Sequence, residues 1–166
     1  YLQDLYDETV LNEKYPLLQE LSTNDLQYDT KSAFTLSINH RNTYTGITDT
    51  DRCLTTRRFA ELSYELINEK SSKEIAIKKL GSEFRTPGHI PVCLEQKGGL
   101  NTREGHTELA VALARLANEP PVVIGAEMLQ PNGSAALSVE GAKKWAEERN
   151  ILFLTGDEIK EQMKGE

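Results

Sequence analysis

The stretch Phe34-Thr35-Leu36-Ser37-Ile38-Asn39 alternates apolar and polar side chains. A period of two is the mark of a strand with one face buried. The period then changes. After the small polar residues of Thr45-Gly46-Ile47-Thr48-Asp49-Thr50-Asp51, the apolar residues Phe59, Leu62, Leu66 and Ile67 recur at helical spacing. Asp51 is placed to cap that helix. A half-buried strand followed by an amphipathic helix sets the fold class as α+β.

Reading outward from there, the charged residues 68–73 end the helix and form a surface loop. Residues 74–80 suit a helix or an edge strand, with Gly81 as the stop. Pro87-Gly88 marks a turn before a strand at 89–94. Lys97-Gly98-Gly99 is a loop. The Ala- and Leu-rich run 107–118 reads as a buried helix stopped by Pro120-Pro121, and the apolar run 122–129 as a buried strand. Asn132-Gly133 signals a tight turn. Ser138 opens an amphipathic helix that carries Trp145 and reaches Asn150. Residues 151–154 suit a last short strand, and Thr155-Gly156-Asp157-Glu158 is a capping-box pattern for a final helix. Upstream, residues 2–21 are polar and compatible with helix, interrupted by Pro16, and 24–31 is a polar connection. The expected architecture is a layered α+β fold, a mixed sheet flanked by helices, in one domain over residues 1–166.

A chain of 166 residues is long enough for one domain with its own core. Its net charge of −7 argues against a nucleic-acid surface, which needs a basic stripe. No segment approaches the ~20 apolar residues of a membrane span, and no signal-peptide pattern marks the visible start. Cys53 and Cys93 form no metal-spacing motif. Their expected state is buried or semi-buried free thiols in a reducing cytoplasm, with one disulfide as the alternative.

Chemistry concentrates in Arg103-Glu104-Gly105-His106-Thr107-Glu108. A Gly-containing loop that runs straight into a helix presents free backbone N–H groups and the positive end of the helix dipole, which favour an anion. Arg103 can fork onto phosphate oxygens. Thr107 adds a hydroxyl, and His106 can hold a divalent metal. The bland reading of the same imidazole is a helix-start surface residue. Thr45 sits beside Gly46, where backbone can approach a phosphate closely, or it is part of an ordinary turn. Glu127 lies in an apolar run. A carboxylate buried there would be suited to proton transfer, whereas at a strand end it would only face water or an Arg. His89 after Pro87-Gly88 is either structural or catalytic. Asp51-Arg52 is either an ion pair that orients the Thr45 loop or a simple cap.

Four segments in this order resemble 3,4-dihydroxy-2-butanone 4-phosphate synthase. They are Thr45 to Arg52, Arg85-Thr86-Pro87-Gly88-His89, the 103–108 hexapeptide, and Glu127. Residues 37–52, with Asn39-His40-Arg41 inside them, are most similar to the archaeal branch. The resemblance runs from about Asp29 to the C-terminus and implies a lyase of riboflavin biosynthesis, which converts D-ribulose 5-phosphate to 3,4-dihydroxy-2-butanone 4-phosphate and formate. It implies substrate contacts from Thr45, Arg103, Glu104, Gly105, His106, Thr107 and Glu127. It makes Glu127 and His89 the catalytic proton carriers and His106 a metal ligand. It further implies two Mg²⁺ (or Mn²⁺) ions per site and a cytoplasmic homodimer.

The chain departs from the family pattern in two places. Relatives carry an N-terminal acidic loop around an Arg-Glu pair, and nothing from Tyr1 to Arg52 has that form. The expectation is that residues 1–166 are the C-terminal portion of such a domain. Many relatives place Cys before the Glu, where this chain has Ala126. The alternative is a non-catalytic module that binds a sugar phosphate or dimerises without the acidic metal loop.

Overall fold

The computed structural model describes residues 16–20 and 34–164. Helix α1, Pro16–Glu20, begins at its proline, a first-turn position where the missing N–H costs nothing. The rest of the expected N-terminal helix and the 24–31 connection lie outside the described residues. Strand β1, Phe34–His40, follows the alternating stretch. Helix α2, Asp49–Asn68, is capped by Thr48, whose side chain accepts from the Asp51 N–H. The cap is therefore Thr48 and not Asp51, because Asp51 is already the third residue of the helix.

Residues 74–80 belong to helix α3, Lys73–Glu83, capped by Ser72, and Gly81 does not stop it. Strand β2 then spans Phe84–Cys93 and starts before the proline. It pairs antiparallel with β1, Ile38 opposite Ile90 and Asn39 opposite Arg85. Between Arg85 and Ile90 the residues Thr86, Pro87, Gly88 and His89 stand outside the ladder. That bulge is why a proline, which cannot donate to a ladder, is tolerated inside a strand. The Pro-Gly pair marks an excursion within β2 and not the turn before it.

Ile38, Leu62 and Phe84 form the centre of the core, with Leu36, Phe59, Leu66, Leu80, Ile90 and Val92 packed around them. Helix α2 thus seals one face of the two-stranded sheet, and Phe84 meets Phe59 edge-on at 5.7 Å. After a short 3₁₀ turn, Gly99–Asn101, come helix α4, His106–Leu116, helix α5, Val139–Glu148, capped by Ser138, and helix α6, Gly156–Met163, closed by the expected capping box of Thr155 and Glu158.

The α+β class stands, but the described sheet has two strands, both antiparallel. Neither 122–129 nor 151–154 forms a strand. The first contributes only the bridge between Leu129 and Ala136, and Val123, Ile124, Leu129, Ile151 and Leu152 are exposed. A strand exists only where a neighbour takes its N–H and C=O groups along its length, and among the described residues these runs have only single bonds of that kind, such as Leu137 N–H to the Met128 carbonyl at 2.8 Å. Helix α4 is buried on one face, through Glu108, Ala112 and Ala114, and not all round. Cys53 and Cys93 are free thiols at the surface, contrary to the expected burial.

Candidate functional site

Two of the sequence motifs converge on a residue that neither contains. Asn39 is 3% exposed, at the end of β1 where strand alternation alone would turn it to solvent. Its Oδ1 accepts the backbone N–H of His89 at 2.8 Å. Its Nδ2 lies 3.1 Å from His89 Nδ1. The other side of the amide rests on Gly46, where an added Cβ would sit 2.1 Å from Nδ2 and where φ is +85°. Glycine is required there on both counts. The bulge closes in the same way: Gly88 N–H donates to Ser37 Oγ at 3.1 Å, Thr86 Oγ1 donates to the Ser37 carbonyl at 2.8 Å, and a Cβ on Gly88 would meet the Ile38 carbonyl carbon at 2.0 Å.

Asp51 organises the Thr45 loop. Its carboxylate accepts N–H groups from Gly46 at 2.8 Å, Thr45 at 3.1 Å and Tyr44 at 3.3 Å. The Gly46 N–H holds this carboxyl below its ordinary value of 3.8, against the upward pull of desolvation and with help from Tyr44 and Thr45. Arg52 turns away to Asp49 at 2.9 Å, so the loop is oriented by Asp51 and backbone, not by an Asp51-Arg52 pair. Thr55, wholly buried, accepts the His40 N–H and donates to the Asp51 carbonyl, both at 3.0 Å, tying the helix to the strand. His40 packs edge-on against Phe84 and lies 3.8 Å from Glu83, a structural placement.

The second group lies on α4. Gly105 is the N-cap and supplies no side-chain acceptor, so the first N–H groups of α4 have no side-chain cap. The Arg103 guanidinium bonds to Glu108 at 2.6 Å. Glu108 is 0% exposed and also accepts the Gln96 N–H at 2.9 Å. Arg103 therefore presents an edge already shared with a buried carboxylate, and a Cβ on Gly105 would strike it. Glu104 pairs with Lys160 of α6 at 3.0 Å. His106 is exposed at the first turn of α4, and Thr107 is half-buried beside it.

Glu127 is exposed in the unpaired run, so the burial expected to tune it is absent here. No hydrogen bond or ion pair joins the side chain of His106 or Glu127 to the described residues. Sequence reading missed Asn39 and Glu108. Their signal is a polar residue completing an apolar alternation and an acid four residues before Ala112 on the buried face of α4.

Among the described residues no three His, Cys, Asp or Glu side chains lie close enough to hold a metal ion. His106 alone does not suit Mg²⁺, which takes oxygen ligands. The described residues therefore do not make up the expected magnesium or manganese site. No helix among them is long and apolar enough to cross a membrane.

A family model described as 3,4-dihydroxy-2-butanone 4-phosphate synthase matches residues 12–162. The curated protein of that name from Methanothermobacter thermautotrophicus is 37% identical over 159 residues, covering 96% of this chain and 65% of the relative. That from Methanosarcina acetivorans is 44% identical over 137 residues, covering 82% and 53%. The crystal structure of the Candida albicans 3,4-dihydroxy-2-butanone 4-phosphate synthase superimposes with a TM-score of 0.64 at 27% identity, covering 80% of this chain and 60% of that one. The chain thus spans between about half and two thirds of the length of these relatives.

Proposed function

The chain belongs to the 3,4-dihydroxy-2-butanone 4-phosphate synthase family, and from that premise we propose that it serves the cleavage of D-ribulose 5-phosphate to 3,4-dihydroxy-2-butanone 4-phosphate and formate, as a cytoplasmic homodimer in riboflavin biosynthesis. The observation that carries the reading is the buried Asn39 amide. It bonds to His89, fifty residues further along the chain, while its other side rests on Gly46, which supports reading two family motifs as parts of one site.

In this reading the uncapped N–H groups of α4, with Thr107 and Arg103, hold the phosphate. Thr45, on a loop braced by Asp51, contacts the sugar. His89 and Glu127 serve the proton movements. His106 would contribute one imidazole ligand to magnesium or manganese.

The test is formate release from ribulose 5-phosphate, with and without Mg²⁺, on the parent and on Glu127→Gln. The variant cannot accept a proton at neutral pH and should lose about 10²-fold or more in turnover while keeping substrate binding. Binding of the sugar phosphate without formate from the parent would favour the non-catalytic module. Normal turnover by Glu127→Gln would remove it as the proton carrier.

A further inference from the structure

We infer that Asn39 is a positioning residue that fixes the tautomer of His89, leaving the proton of the neutral ring on Nε2. A backbone N–H can only donate, so the atom of the Asn39 amide that meets His89 N–H at 2.8 Å must be its oxygen. The remaining atom, the NH₂ nitrogen, then faces His89 Nδ1 at 3.1 Å. An amide NH₂ has no lone pair to offer, so Nδ1 must be the acceptor, and an accepting Nδ1 carries no proton.

The amide is also unable to turn over. Gly46 backs it closely enough that one added carbon would sit 2.1 Å from Nδ2. Flipping the amide would set its NH₂ against the His89 N–H and leave two donors opposed inside a residue that is 3% exposed. His89 itself is exposed, so its Nε2–H is the face available to a ligand.

This deepens the proposed function and rests on it for one step only. If His89 touches the sugar phosphate, its neutral ring meets the substrate as a hydrogen-bond donor and not as a base. It would then polarise a carbonyl or hydroxyl oxygen. Abstraction of a carbon-bound proton would fall to another group, of which Glu127 is the candidate. The same logic makes His40 an internal reference. The Asn42 N–H donates to His40 Nδ1 at 3.1 Å, so His40 also holds its proton on Nε2, through a bond that does not involve the Asn39 side chain.

The experiment is ¹⁵N NMR of the imidazole nitrogens, without substrate, at a pH of about 9, where imidazoles are neutral. In the parent, His89 Nδ1 should resonate as an unprotonated nitrogen and Nε2 as an N–H. In Asn39→Asp the side chain accepts from both the backbone N–H and the ring, so the His89 order should reverse while His40 is unchanged. Gly46→Ala, which displaces the amide, should give a mixture of the two forms at His89. A parent with its proton on Nδ1, an even mixture in the parent, or no change in Asn39→Asp would overturn the assignment. Formate release by His89→Ala is the separate test of the underlying function. Because the tautomer is read without turnover, the two can fail independently.

Discussion

Residues 34–93 and 94–164 are of similar length but are held together differently. In the first, the bonds that matter join residues far apart in sequence. Asn39 reaches His89, Ser37 reaches Gly88, and Thr35 reaches Val92. Ile38, Leu62 and Phe84 close a core between sheet and helix. In the second, the ordering is mostly local, made of helix caps, the Asn132-Gly133 turn and the capping box at Thr155. The long-range ties there are the ion pairs of Arg115 with Glu95 and Lys160 with Glu104 and the packing of α4 against α6 beside the buried Ile159, while Ile124 stands 74% exposed. Long-range apolar closure ties the first region together. The second carries the 103–108 hexapeptide and Glu127 on a scaffold with less burial behind it.

The largest expected effect tests that contrast directly. Leu62 is 1% exposed at the centre of the core, so Leu62→Ala should cost about 2–5 kcal/mol by lost burial and the cavity left behind. Ile124→Ala should stay within about 0.5 kcal/mol, as exposed substitutions do. Paired denaturant titrations read both. If Ile124→Ala costs as much as Leu62→Ala, residues 122–129 are covered in solution and the contrast between the regions is lost.

A smaller effect separates two glycines. A Cβ on Gly88 would lie 2.0 Å from the Ile38 carbonyl carbon, whereas one on Gly125 meets nothing within 4 Å. Gly88→Ala must part the two strands at the bulge and should cost about 1–3 kcal/mol or more by overpacking. It should also detach His89 from Asn39. Gly125→Ala should be near neutral in thermal melts. Equal melting of the two variants would mean that the close approach at Gly88 relaxes without cost.

What sequence reading recovered follows the same division between local and distant causes. The alternation of β1, the helical spacing of Phe59, Leu62 and Leu66, the Ser138 cap and the Thr155 capping box are set by neighbours within a few residues, and each is found in place. Apart from the Asp51 cap and the Gly81 stop, which are local misreadings, the main errors concern a partner far along the chain. Residues 122–129 have strand composition, but a strand needs a ladder, and composition does not reveal whether one is supplied. Pro87-Gly88 has the chemistry of a turn, yet β2 carries it as a bulge because Ser37 and Asn39 take its backbone groups. Asn39 reads as a solvent-facing polar residue until the bulge and the Gly46 turn close over it.

The smallest effect is one of slope and sharpens the comparison within the first region. Asp51 gathers the N–H groups of Gly46, Thr45 and Tyr44, and the Gly46 bond leads in lowering its carboxyl below 3.8. A group lowered on folding lends stability that is complete above its unfolded value and is lost as pH falls through the folded one. Asp51→Asn removes the charge and, with its oxygen kept toward Gly46 and Thr45, sets its NH₂ against the Tyr44 N–H that Oδ1 accepts in the parent. The stability gap between parent and variant should therefore be level from neutral pH down to about 5, and should narrow as pH drops below 3.8 and the parent's own carboxylate protonates. Denaturant midpoints of the pair, followed downward in pH, give the gap. A gap that stays constant through the acid range would show that the carboxylate charge does not hold the Thr45 loop. The loop would then be shaped by Gly46 and the Thr48 cap alone, and its tie to Asn39 would rest on packing and not on charge.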